Sequence, residues 1–339
     1  MLMSIIIPAF NVERFIVKTI LSIVENQVPL SDYEIIVIND GSTDNTLLRI
    51  QEVVKEYPLY HIVCIDQPNK GVSEARNRGL DCAKGDYVWF VDGDDLIHKN
   101  TLYFIFEELS KFVDIDVFRI ADCASDLLEE ENDDVLSDDC SSFEPSATEY
   151  IQPCKLLSSK YRHGHTTFIW RRSFLKENGL YYPKNLKVNE DFQFLFKGLL
   201  LANKAIVNFS YTFYFARERL DSVSRKEMNI HKYKTSLFCK TTNLLMFKEF
   251  MDTYLMSDKE KRQYANSFIR AYLKYTLIYL FIYPYPFSVK KEYLSILKKN
   301  DIFLLRDRKS FDEYLLCYIF LYRFGNIFYS VKKNIVDKL

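Results

Sequence analysis

Residues Tyr87-Val88-Trp89-Phe90-Val91-Asp92-Gly93-Asp94-Asp95 join five consecutive apolar side chains to three carboxylates in four positions. A short, uninterrupted apolar run predicts a strand buried on both faces, as in a parallel sheet covered by helices. Residues 4–7, 34–38 and 61–65 are runs of the same kind. Between them, residues 13–25 carry Phe15, Ile16, Ile20, Ile23 and Val24 near helical spacing. Residues 43–57, with Ser42 or Thr43 as cap, and residues 72–83 also read as helices. Strands and helices that alternate in this way predict an α/β fold, a mainly parallel sheet with helices on both faces.

Past Asp95 the pattern loosens. A helix is expected over residues 100–111 and a strand over 117–120. Residues 126–139 hold eight acids, Asp126, Glu129, Glu130, Glu131, Asp133, Asp134, Asp138 and Asp139. Like charges this dense repel and read as a solvated loop. From His231 onward the chain reads as helical, with Phe268, Tyr272, Tyr275 and Tyr279 on one helical spacing. Phe311, Tyr314, Leu315, Tyr318, Ile319 and Tyr322 repeat it.

The net charge is -1, which argues against a nucleic-acid partner recruited by global basicity. That sum conceals a split. Residues 226–339 carry 21 Lys and Arg against 11 Asp and Glu, and residues 1–225 carry 24 against 35. The seven cysteines form no C-x-x-C pair, so neither a disulfide framework nor a zinc site is indicated. The first residues, ending at Pro8, read as a buried strand and not as a signal peptide.

Carboxylates at the carboxyl end of a parallel strand sit where open α/β sheets bind ligands. Three of them this close are rational if a divalent cation and phosphate oxygens share the site. The same residues also read as an acidic turn, so their context matters. An EF-hand is excluded, because Ile97 stands at the sixth loop position and Tyr103 at the twelfth. No G-x-G-x-x-G follows any expected strand, which disfavours a dinucleotide site. The context consists of polar residues at three other strand ends: Pro8-Ala9-Phe10-Asn11, Asn39-Asp40-Gly41-Ser42 and Asn69-Lys70-Gly71.

In their order and spacing, SIIIPAFN, VINDGSTDNT, NKGVSEARNRGL and YVWFVDGDD resemble the inverting family 2 glycosyltransferases, which have the GT-A nucleotide-sugar fold. The blocks span about 95 residues, and the last 110 or so lie outside the resemblance. The resemblance implies that Pro8, Ala9, Phe10 and Asn11 meet the base, and that Asp40 accepts the N3 hydrogen of uracil, which cytosine lacks. It also implies that Gly71, Arg76 and Asn77 lie near base and ribose, and that Asp92 and Gly93 meet the ribose. Asp94 and Asp95 would hold Mg2+ or Mn2+ on the diphosphate. Asn189-Glu190-Asp191-Phe192 resembles the family's acidic pair, which makes Asp191 the expected base and leaves Glu190 to orient the acceptor or the base. His163 and His165 read as loop residues. Trp170 stands where relatives often carry Lys, so a packed or sugar-stacking aromatic is expected there. Arg217, Arg219 and Ser224 resemble a loop that closes over the diphosphate.

The organisation expected from this is a catalytic domain over residues 1–225 and a helical extension over residues 226–339. The catalytic domain would divide into a nucleotide half (1–98) and an acceptor half (99–225). The implied partners are a UDP-sugar and a glycan or lipid-linked acceptor, in the cytoplasm at the inner face of the cell membrane. A sugar nucleotidyltransferase would carry a Gly-rich loop after the first strand, which Pro8 to Asn11 does not supply. An inactive sugar-binding relative would have lost an acid, yet Asp40, Asp92, Asp94 and Asp191 are all present. The basic aromatic tail has two readings: docking on an anionic membrane, or packing in a core.

Overall fold

The computed structural model describes residues 1–123, 148–158, 164–217, 230–254, 257–282 and 287–300. Four strands, β1 (Met3–Ala9), β2 (Tyr33–Asp40), β3 (Ile62–Gln67) and β4 (Tyr87–Phe90), form a parallel quartet in the order β3-β2-β1-β4. The connections are α1 (Ile16–Val24), α2 (Thr46–Glu56) and α3 (Val72–Cys82), within a few residues of the expected spans. The chain steps outward from β1 to β3 and then returns to the far side of β1 as β4. This reversal opens a crevice beyond the carboxyl ends of β1 and β4.

β1 and β2 are buried along their whole lengths because each face meets a helix. Ile5, Ile7, Ile35 and Val37 join Ile16, Ile20 and Ile23 of α1 and Ile50 and Val53 of α2 in one core. Ile6 points the other way, toward α3. A Cβ at Gly79 would lie 2.3 Å from its Cγ2, so a glycine seats α3 on the sheet. The start of α2 differs from expectation. It begins at Thr46, whose N–H donates to the Asp44 carboxylate at 3.0 Å, and neither Ser42 nor Thr43 caps it.

After β4 come β5 (Leu96–Ile97), α4 (Thr101–Lys111), β6 (Val117–Cys123), β7 (Glu149–Ile151) and β8 (Phe168–Arg171). They are followed by α5 (Arg172–Glu177), α6 (Glu190–Leu201) and β9 (Ala205–Phe215). The sheet continues from β4 through β8, β6 and β9 to β5, with β7 also on β9. β8 runs antiparallel to β4 and β6, whereas β6 and β9 are parallel, so this half of the sheet is mixed. The two-residue β5 pairs with the end of β9. The acidic run 126–139 lies outside the described residues.

The chain divides into two compact units, Met1–Leu156 with Tyr161–Glu227, and Leu157–Lys160 with Met228–Leu339. The second contains α7 (Ile230–Tyr254), α8 (Lys259–Ile282) and α9 (Phe287–Lys299). Phe247 of α7 meets Phe268 and Tyr272 of α8 edge-on, each at 5.4 Å between ring centroids. The Asn243 amide donates to Tyr272 Oη at 3.1 Å. Phe268 and Tyr272 thus serve as core within the helical unit, while Tyr275 is exposed with Lys240 Nζ 4.6 Å from its ring centroid. The aromatic series from Phe311 to Tyr322 lies outside the described residues. Among those described, no helix is long and apolar enough to cross a membrane.

Gly79→Ala is expected to lower stability by about 1–3 kcal/mol despite alanine's better helix propensity, because the added methyl overpacks against Ile6. Denaturant unfolding of the two proteins measures the difference.

Candidate active site

The loops that follow β1 and β2 are laced together by side chains. Asn11 has φ +52°, in the left-handed region that Asn tolerates. Its N–H donates to Ser42 Oγ at 3.1 Å, and its Oδ1 accepts the Thr43 N–H at 2.8 Å. The Val12 N–H donates to Thr46 Oγ1 at 2.8 Å. Pro8 and Ala9 are buried in the sheet, whereas Phe10 is 47% exposed at the end of β1. That exposure leaves Phe10 an aromatic face on which a flat ring can stack.

Asp40 is buried at the end of β2 and organises the next loop. Its Oδ1 accepts Gln67 Nε2 at 2.8 Å and the Lys70 N–H at 2.9 Å, and its Oδ2 accepts the Gly71 N–H at 2.8 Å. A carboxylate has about four acceptor sites, so these three bonds leave one on Oδ2 for a further donor. Gly71 has φ +91° at the start of α3, a conformation that other residues seldom adopt.

The acidic turn abuts the end of β1. A Cβ at Gly93 would lie 2.9 Å from the Pro8 carbonyl oxygen, so glycine is required for the approach. The three carboxylates of this turn have different surroundings. The Asp92 Oδ1 accepts Arg76 Nη2 at 2.9 Å, and its Oδ2 lies 3.7 Å from His165 Nε2. Burial favours the neutral acid, yet Arg76 and His165 hold Asp92 well below the usual carboxylate range. Asp94 is half-buried. Asp95 is buried, its carboxylate accepting the Tyr214 hydroxyl and the Arg217 N–H, the latter at 2.8 Å. Burial, with the charges of Asp94 and Asp92 added, pushes Asp95 well above the usual range.

Asp94 and Asp95, the expected metal pair, have different surroundings. Asp95 gives one acceptor site on each oxygen to anchoring the end of β9, which leaves capacity on both, and Asp94 stands beside it, half-buried. The crowded negative charge that raises Asp95 fits a cation nearby. Among the described residues no three or more His, Cys, Asp or Glu side chains form a cage. One or two carboxylates at a strand end are a donor set that fits an ion taking its other ligands from phosphate oxygens and water, as Mg2+ commonly does.

Arg76 joins the acidic turn to α6. It is buried, with Nη2 on Asp92 and Nη1 on Glu190 Oε1 at 2.8 Å. Its Nη2 also lies 3.0 Å from His165 Nε2, and the guanidinium carbon sits 5.0 Å from the Tyr182 ring centroid. Tyr182 is held in turn by stacking on Phe194 at 4.2 Å. The side-chain amide of Asn77, expected near base and ribose, is engaged within the protein. Its Nδ2 donates to the Tyr182 carbonyl and its Oδ1 accepts the Tyr182 N–H, both at 2.8 Å, so its amide pairs with backbone. Arg76, expected near base and ribose, meets Asp92, the acid expected at the ribose, and Glu190.

Asp191 follows Glu190 in the first turn of α6 and is half-buried. Burial raises its carboxyl above the ordinary range, against the pull of His165 and Arg76, and Glu190 adds to the rise. Arg217 crosses the acidic turn, its Nε donating to the Asp94 carbonyl at 3.0 Å. Arg219, Ser224 and His163 lie outside the described residues. Trp170 is fully buried, stacked with Phe168 and Phe174 and packed on Gly198, so it belongs to the core and stacks on no sugar.

Three site residues carry no motif: His165, Tyr182 and Tyr214. His165 reads as a loop residue because its partners stand far away in the chain. Tyr182 and Tyr214 look like any core aromatic. Tyr214 accepts the Asp92 N–H and donates to Asp95, a role visible only once β9 lies beside β5.

A sequence profile of glycosyl transferase family 2 matches residues 4–177, just over half of the chain. The chain is 31% identical over 219 residues to the Staphylococcus aureus poly(ribitol-phosphate) beta-N-acetylglucosaminyltransferase TarS. That match covers 64% of this chain and 35% of the relative. A Bacillus spizizenii poly(ribitol-phosphate) beta-glucosyltransferase is 30% identical over 227 residues, covering 65% of this chain and 33% of the relative. The chain thus spans about a third of the length of these relatives. The crystal structure of S. aureus TarS 1–349 in complex with UDP-GlcNAc superposes with a TM-score of 0.68 at 22% identity, over 88% of this chain and 80% of that one. The GT-A fold expected from the sequence is the fold found.

Asp40→Asn is expected to cost about 1–3 kcal/mol in denaturant unfolding, because an amide NH2 would confront donors that now meet a carboxylate.

Proposed function

The chain belongs to glycosyl transferase family 2, and from that premise we propose that it moves a sugar from a UDP-sugar to an acceptor hydroxyl with inversion. The acceptor oxygen attacks the anomeric carbon opposite the diphosphate. The bond from that carbon to the diphosphate breaks, and the hydroxyl proton passes to Asp191. One observation carries the choice of base. Of the two acids at the start of α6, Glu190 is held by Arg76, while burial raises Asp191 toward the range in which a general base works well.

The donor reading rests on the laced loops. Phe10 offers a stacking face and Asp40 one remaining acceptor site for the N3 hydrogen of uracil. The partly exposed Asp92 has acceptor capacity for ribose hydroxyls. Asp94, with donor phosphate oxygens, would hold Mg2+ or Mn2+, which supplies stabilisation of the charge on departing UDP. Arg217 adds a buried cation beside this turn.

For the acceptor we propose a cell-surface glycan or polyol-phosphate chain, lipid-linked or free, at the inner face of the membrane. Two observations support this: the poly(ribitol-phosphate) acceptors in the relatives' names, and the basic excess of residues 226–339.

Asp191→Asn is expected to lower turnover by about 10²- to 10⁴-fold while UDP still binds, as read by transfer assay and calorimetric titration. Unchanged turnover would overturn the assignment. The raised Asp191 carboxyl also sets a sign: kcat/KM rises with pH through a limb above the ordinary carboxylate range, because the base works only when ionised. Asp94→Asn should raise the metal concentration needed for half-maximal rate. Asp95→Asn should chiefly lower thermal stability.

A further inference from the structure

Arg76 makes two ion pairs that reach opposite sides of the proposed reaction. Its Nη2 meets Asp92, on the donor turn, and its Nη1 meets Glu190, the neighbour of the proposed base. α3 supplies the arginine, the loop after β4 one acid and the start of α6 the other. The guanidinium is held in this position: the Tyr182 ring lies against it, His165 Nε2 is 3.0 Å from Nη2, and Asn77 fixes the Tyr182 backbone. Lysine has the charge but no planar fork, and could not meet both acids in this way.

We infer that Arg76 is a positioning residue that couples the donor turn to the base, by orienting Asp92 with one nitrogen and neutralising Glu190 with the other. The inference rests on the transferase reading and adds a division of labour to the acidic pair: Glu190 is Arg76's partner, and Asp191 exchanges the proton. The groups that face Asp191 are Glu190 on α6, Arg76 on α3, His165 ahead of β8 and Tyr182 between α5 and α6. Glu190 and Arg76 act on it with opposite sign. A link that serves both sides predicts opposite pH effects from its two ends, which simple structural support does not.

The test is the pH dependence of kcat and kcat/KM for wild type, Arg76→Gln and Glu190→Gln, with folding checked by circular dichroism and by the thermal shift produced by UDP. Arg76→Gln should move the acid limb to higher pH, raise the KM for UDP-sugar and lower kcat/KM by about 10²-fold. Glu190→Gln should move the limb to lower pH and alter kcat more than donor KM. Limbs that stay in place, or that move in the same direction, overturn the inference. If Arg76→Gln does not fold, Glu190→Gln decides alone: a downward shift supports the coupling, and a fixed or rising limb refutes it. Full activity in Asp191→Asn would instead sink the base assignment, an outcome distinct from either variant's behaviour.

Discussion

A buried guanidinium is costly unless carboxylates meet it in good geometry, and taking away one partner of such a pair typically costs about 3–5 kcal/mol. The Arg76 site satisfies that condition by drawing Asp92 and Glu190 together from segments almost a hundred residues apart. Much else at the site follows from this demand. α3 must sit close to the sheet, which Gly79 permits, and Tyr182 must lie against the guanidinium, which Asn77 and Phe194 arrange. α6 must begin where Glu190 can reach Arg76, and that fixes the position of Asp191.

The acidic turn illustrates how environment separates like residues. Asp92 is held ionised by Arg76 and His165, whereas Asp95 is driven toward its neutral form by burial and by its two acidic neighbours. Asp94 lies between them, half-buried. Three acids in four positions thus sit in three environments: Asp92 is paired with Arg76, Asp94 is half-buried, and Asp95 anchors the end of β9. Charge repulsion within the turn is tolerated because Arg76, Tyr214 and the Arg217 N–H each take a share of it.

Much of the first half of the fold was legible in the sequence because its strands are covered on both faces. A strand such as β1 then has to be apolar at every position, and continuous runs of isoleucine and valine betray it. The second half was harder to read. β5 has two residues, β8 has four, and β9 mixes aromatic and polar positions, so none produces a comparable run. Trp170 illustrates the limit for side chains: its identity permits stacking on a sugar or burial, and only the neighbouring Phe168, Phe174 and Gly198 decide for burial.

The sequence by itself determined the parallel core, the strand ends that carry polar loops, and the residue types of the nucleotide blocks, because these depend on local pattern and spacing. Only the tertiary structure decided how those residues pair. Asp40 became the anchor of the third loop, Asn77 a brace for Tyr182, Asp95 a tether for β9, and Arg76 the link between two acids. The physical reason is that a hydrogen bond or ion pair depends on distance in space. The partners here lie as far apart in the chain as Arg76 and Glu190, where no periodicity connects them.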